Sequence, residues 1–163
     1  FLKKQFQERK IKKEYIVLVA GKVKQKDGVI DLSIGRSKRD PTLRIAKGLM
    51  RGKIREALTE YRAKEYFSSG GKEYTLLSAF PKTGRTHQIR AHFKAIGHPV
   101  ICDKLYAGAH SLCPFGLSRH FLHAYALELQ LPSGGHMRLE AEMPEDLERV
   151  LERLRKEKKS GNV

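Results

Sequence analysis

Tryptophan is absent from this chain of 163 residues, and cysteine occurs only twice. Cys102 and Cys113 make no disulfide framework and their spacing is not CxxC, so they read as reduced thiols of a cytosolic protein. No stretch approaches the roughly 18 consecutive apolar residues of a membrane-spanning helix. The chain opens Phe1-Leu2-Lys3-Lys4-Gln5, with neither an initiating Met nor an apolar signal core. That start argues against secretion and for a chain that begins inside a longer protein. Glycine-rich phosphate loops of the Walker and dinucleotide types are missing, which removes two large nucleotide-binding classes. Internal repeats and low-complexity segments are missing too. The length fits one domain, which buries about two-thirds of the surface its unfolded chain exposes.

Acidic residues are the last scarcity. There are 18 Asp and Glu against 33 Lys and Arg, a formal net charge of +15. Such an excess points to a polyanionic partner. It is also concentrated. Between Arg36 and Arg55 stand eight basic residues (Arg36, Lys38, Arg39, Arg44, Lys47, Arg51, Lys53 and Arg55) and one acid, Asp40. Like charges repel in such a block unless a partner neutralises them. A solvated basic face is the plain alternative. An acidic membrane is the weaker rival, because no stretch joins the charge to a strong apolar face.

Periodicity predicts an antiparallel-dominated α+β fold: a mixed, mainly antiparallel sheet with one central and one C-terminal helix. Residues 1–9 read as the end of a helix with Leu2 and Phe6 on one face. Strands are expected at about 14–20, 29–34, 57–67, 74–80, 121–131 and 136–142. Lys26-Asp27-Gly28, Ser68-Ser69-Gly70-Gly71 and Pro132-Ser133-Gly134-Gly135 are turn signals. The basic block 36–55 has no clean period and reads as a loop, as does most of 103–118. Thr86 to Ile96 is the central helix, with Ile89, Phe93 and Ile96 on one face and Gly97 ending it. The last helix spans 144–159, with Pro144 at its start and Leu147, Val150, Leu151 and Leu154 as its packed stripe. Glu145 and Asp146 suit its positive end; Arg155, Lys156, Lys158 and Lys159 suit its negative end.

The chemistry gathers at residues 84–108. Gly84-Arg85-Thr86-His87-Gln88-Ile89-Arg90 leads into Ala91-His92-Phe93-Lys94-Ala95, then Ile96-Gly97-His98-Pro99, then Asp103-Lys104-Leu105-Tyr106. A core helix needs no such density of polar groups, whereas a site that holds an anionic substrate and orients a nucleophile does. An arginine on a rigid helix is a good bidentate partner for a carboxylate. The free N–H groups of a helix start at 84–86 can hold a phosphate. His87 and His92 are five residues apart, off the i, i+4 spacing of paired metal ligands, so a zinc site is not favoured.

These residues resemble the RluA-type RNA pseudouridine synthases, whose signature reads GR(T/S)HQ(I/L)R, then (I/L)GHP, then D-x-x-Y. Three flanking stretches fit in order: Lys13-Glu14-Tyr15 to K-x-Y, Phe121-Leu122-His123-Ala124 to L-H-A, and Gly52-Lys53 with Ala57 and Thr59 to GK-x-A-x-T. The last departs from the pattern, with three residues standing where one is usual. By itself Tyr15 reads as an ordinary strand tyrosine and Leu122 as a core leucine. The resemblance implies more: Arg90 pairs with a catalytic aspartate, Tyr15 lies against the target base, and Leu122 floors the pocket. It implies RNA contacts at Arg85, His87 and Gln88, beside those expected of Arg36, Lys38, Arg39, Arg44, Lys47, Arg51 and Lys53.

The resemblance covers most of residues 1–143 and implies an isomerase that needs no cofactor and no metal. It implies a monomer acting on ribosomal or transfer RNA in the cytoplasm, away from any membrane. One part is missing. The nucleophilic aspartate of the family lies in an H-R-L-D-x-x-T-S-G loop, and no aspartate of this chain has that context. The expectation is the C-terminal portion of a catalytic domain, inactive alone. A non-catalytic RNA-binding fragment or paralogue is the alternative.

Overall fold

The computed structural model describes residues 1–108 and 112–160. A six-stranded sheet organises it, with β1 (Lys12–Ala20) between β7 (Lys72–Pro81) and β8 (Leu122–Gln130). Outward from β7 come β6 (Leu58–Ser69) and then β2 (Asp27–Asp31); outward from β8 comes β9 (His136–Glu140). Every pairing in it is antiparallel. The β6–β7 hairpin closes at Ser69 opposite Lys72. Its two loop residues, Gly70 and Gly71, both have positive φ (55° and 71°), the conformation that matches the twist of a two-residue hairpin.

Both faces of the sheet's central strands are covered. Ile16 and Leu18 of β1, with Tyr74 and Leu76 of β7, pack with Leu147, Val150, Leu151 and Leu154 of the C-terminal helix α4 (Glu145–Ser160). Val17 and Val19, with Leu77 and Ala79, pack on the opposite face with Ile89 and Phe93 of α2 (Gln88–Ala95). Alternate strand residues thus serve two different helices, which is why β1 reads as a continuous apolar run. Of the basic residues expected near the end of α4, the side chain of Lys159 lies outside the described set.

Four expectations need correction. The basic block is not a loop: β3 (Ile34–Ser37) pairs with β4 (Arg44–Ile45) and β5 (Met50–Arg55) in a second, three-stranded sheet. Its exposed basic side chains hid any hydrophobic period. The expected turn at Asp27-Gly28 is the start of β2; a side chain at Gly28 would run into the Tyr61 ring, which stands directly opposite. In α1 (Leu2–Gln7) the apolar pair Leu2 and Phe6 is exposed and Gln5 is the buried residue. Its amide donates to the Gln130 carbonyl at 2.8 Å and accepts from the Gln130 N–H at 2.9 Å, a two-point match that satisfies it on burial.

Fourth, Cys102 and Cys113 are joined in a disulfide. The intervening chain is not all loop: it includes the one-turn helix α3 (Lys104–Ala107), and a 3-10 turn follows at Pro114–Gly116. That chain brings the two Cα atoms to 4.5 Å. Residues 109–111 of the expected loop lie outside the described residues.

Candidate active site

The approach to α2 is set by one side chain. Gln88 accepts from the Thr83 hydroxyl at 2.6 Å and from the Arg85 N–H at 3.0 Å. It donates to the Leu58 carbonyl at 3.0 Å and to Thr59 Oγ1 at 3.0 Å. Both donors and both lone pairs of its carbonyl are used. Gln88 is 4% exposed, and with its amide fully hydrogen-bonded it clamps residues 83–85 onto β6. The helix consequently begins at Gln88 rather than Thr86. His87, just before it, takes a left-handed backbone (φ 55°, ψ 23°). That conformation is uncommon for a residue with a Cβ and recurs at functional sites.

The turn leaves Arg90 facing a cavity of about 460 Å³. Tyr15 and Leu122, from adjacent strands β1 and β8, line the same cavity, together with Arg85, His87, Lys13 and His120. The three residues implied as catalytic are therefore brought together from segments more than a hundred residues apart in sequence. No Asp or Glu is among the lining residues.

Arg90 already has a partner. Its Nε and Nη2 donate to the two carboxylate oxygens of Asp103 at 2.7 and 2.6 Å. The Asp103 side chain is wholly buried and that of Arg90 is 13% exposed. Asp103 holds the guanidinium pKa above its ordinary value by these hydrogen bonds, against the opposing effect of burial. The guanidinium carbon also sits 4.8 Å from the centre of the Tyr106 ring. Asp103 and Tyr106 both belong to the D-x-x-Y segment. Asp103 caps α3 by accepting from the Tyr106 N–H, and Tyr106 donates its hydroxyl to the Arg44 carbonyl of β4 at 2.9 Å. The segment thus joins the cavity to the second sheet.

Two imidazoles flank this pair. His87 packs edge-on against Tyr106, and its Nδ1 is buried without a hydrogen bond. Burial first, and the Arg90 charge second, lower the pKa of His87 and likewise of His120. Both rings are neutral near pH 7 for those reasons. Lys13 is also lowered, by burial and then by Arg9, and its ammonium reaches the Thr83 carbonyl at 3.4 Å.

A second cavity of about 450 Å³ adjoins the first and shares Gly84 and Arg85 with it. Its other walls include Arg36, Arg44, Lys53 and Arg55 of the small sheet. In that sheet Arg36 stands directly opposite Arg44 on one side and Arg51 on the other. Like charges at opposed positions destabilise a sheet. Lys38, Arg39 and Lys47 are exposed elsewhere in the same segment, outside the lining of either cavity. Sequence reasoning missed His120 and gave no role to Asp103 or Tyr106. The only available signals were the Arg119-His120 pair ahead of Leu122 and the D-x-x-Y segment itself.

This chain belongs to the RNA pseudouridylate synthase family, whose sequence profile matches residues 2–95. It is 39% identical, over 94% of its length, to a ribosomal large subunit pseudouridine synthase D of Nitrosomonas europaea, and covers 44% of that protein. It is 41% identical to an uncharacterized RNA pseudouridine synthase of Aquifex aeolicus, covering 91% of this chain and 47% of that one. The chain thus spans about half the length of the curated relatives it matches. Among solved structures it resembles human RNA pseudouridylate synthase domain containing 1, with a TM-score of 0.76 at 25% identity, covering 94% of this chain and 69% of the other.

Proposed function

We propose that the natural polypeptide containing this chain converts uridine to pseudouridine in ribosomal RNA, and that these residues form the base pocket and part of the RNA-binding surface. The observation that carries the reading is the convergence of Tyr15, Arg90 and Leu122 on one cavity that adjoins a cleft lined by arginines and a lysine. Ribosomal RNA is the preferred substrate because several relatives are named as ribosomal large subunit enzymes.

The isomerisation breaks the N-glycosidic bond, turns the base, and forms a C-glycosidic bond, so nothing is oxidised or reduced. The target uridine must leave its stack to enter the pocket. Tyr15 would lie against its face, where a base–aromatic stack contributes about 1–3 kcal/mol. Leu122 would give the base an apolar floor. The arginines of the small sheet would hold backbone phosphates, which adds affinity without reading sequence.

In this reading a nucleophilic carboxylate would be brought to the cavity by another part of the natural polypeptide, a step supported by the lack of Asp and Glu among the lining residues. The reading includes a monomer in the cytoplasm. The experiment is to map pseudouridines in ribosomal RNA from cells with and without the gene. Loss of one or a few sites supports the enzyme. An unchanged map, with RNA binding retained, supports a binding protein of the same fold instead.

A further inference from the structure

We infer that Asp103 and Tyr106 are positioning residues that fix Arg90 so that only the end of its guanidinium is offered to the cavity. The inference rests on the functional reading above and concerns how the site orients its incoming carboxylate.

A guanidinium has five N–H donors on three nitrogens. Asp103 takes the side formed by Nε and Nη2, at 2.7 and 2.6 Å. The Asp103 side chain has no exposed surface and is not among the cavity residues, whereas Arg90 lines the cavity. The donors of Arg90 that Asp103 leaves over lie on the opposite edge, formed by Nη1 and the second hydrogen of Nη2. Two donors remain there in the geometry that matches a second carboxylate end-on.

Tyr106 supplies what a planar ion pair cannot. Its ring lies over the guanidinium carbon at 4.8 Å and so limits rotation out of the plane. The ring is held in turn: the hydroxyl donates to the Arg44 carbonyl at 2.9 Å and accepts from the Arg44 N–H at 3.3 Å. His87 closes its edge, with ring centres 5.8 Å apart. One arginine thus bridges a buried carboxylate that never meets substrate and a carboxylate that would. Asp103 also neutralises Arg90 in advance, so the incoming carboxylate is aimed without facing a full uncompensated charge.

The test uses the full natural polypeptide and measures pseudouridine formation on its RNA substrate. Asp103→Asn keeps the size of the side chain, removes the charge and gives up one of the two acceptors. We expect kcat to fall about tenfold or more, the loss expected when about 1.4 kcal/mol of transition-state stabilisation goes, with KM for RNA little changed. Because Asp103 acts through Arg90, adding Asp103→Asn to Arg90→Ala should cost nothing further.

Losses that multiply in the double variant overturn the inference, as does an Asp103→Asn enzyme with unaltered kcat. If Asp103→Asn does not fold, Tyr106→Leu removes both the stacked ring and its link to Arg44, and the same pattern must hold: lower kcat, little change in KM, and no added cost with Arg90→Ala. An inactive wild type would instead sink the functional reading and the inference with it, while leaving the Asp103–Arg90 geometry intact.

Discussion

His92 and Thr59 are 33 residues apart in sequence and hydrogen-bonded in the core, with Nδ1 2.9 Å from the threonine hydroxyl. The other ring nitrogen, Nε2, lies 2.9 Å from the Leu32 carbonyl, which can only accept. Nε2 therefore carries the proton, and Nδ1 accepts from Thr59 while Thr59 accepts from Gln88. The neutral imidazole satisfies every member of this network, and His92 has no exposed surface.

That arrangement makes stability fall on acidification. Burial lowers the pKa of His92 below its ordinary value near 6.5, and the Leu32 carbonyl only partly opposes it. Below about pH 6.5 the unfolded chain binds a proton that the folded chain refuses. Stability should fall there by up to about 1.4 kcal/mol per pH unit for this group, and be fully present above it. His87 and His120 act in the same direction. Denaturant melts of wild type and His92→Gln from pH 7.5 to 5 check this: the variant starts lower but should lose less on acidification. Parallel pH curves would remove His92 from the account.

Arg90→Lys in the natural polypeptide should bind RNA nearly as well and react about tenfold or more slowly. A lysine keeps the charge but cannot hold Asp103 by two parallel bonds and also present a second edge to the cavity. Single-turnover rates measured beside filter-binding constants separate the two effects. An unchanged rate would place Arg90 outside the chemistry.

If Tyr15 acts by stacking, Tyr15→Phe should be much milder than Tyr15→Leu, because a stack contributes roughly 1–3 kcal/mol whichever ring makes it. Equal damage from both would assign the role to the hydroxyl. The readout is turnover at saturating RNA.

The arginine row of the second sheet should show opposite effects on stability and binding. Replacing Arg36, Arg44 and Arg51 by glutamine relieves opposed like charges, so the melting temperature at low salt should hold or rise. RNA binding should weaken, and its log–log salt dependence should flatten by about 0.7–0.9 for each phosphate no longer neutralised. Titrations at several salt concentrations test it. An unaltered slope would mean that this row is a solvated basic face.

The Cys102–Cys113 bridge closes a short loop, with a sequence separation of 11, around Asp103 and Tyr106. Cys113→Ser should therefore lower stability by about 2–3 kcal/mol, if the entropy of loop closure governs it. Wild type treated with a thiol reductant should approach the variant. A reductant without effect on the wild-type melt would show that the bridge contributes little.

The sequence by itself determined the antiparallel hairpins, the stripe of α4 and the identity of the 84–108 segment. Those features are local: alternation, turn glycines and helical spacing act between near neighbours and leave a readable period. It also named Tyr15, Arg90 and Leu122, through resemblance rather than through spacing. What only the tertiary structure decided depends on partners distant in the chain. Gln88 is an architectural clamp because Leu58 and Thr59 lie thirty residues upstream in its reach, not because of anything beside it. Arg90 meets Asp103 and Tyr106 only after the chain turns through Gly97 and His98. The basic block became a sheet because Ile34, Ala46 and Ala57 bury against Ala91 and Tyr106, while most of its charged residues stay exposed. The two cysteines pair because the fold brings their backbones within disulfide range, a distance that no spacing rule encodes.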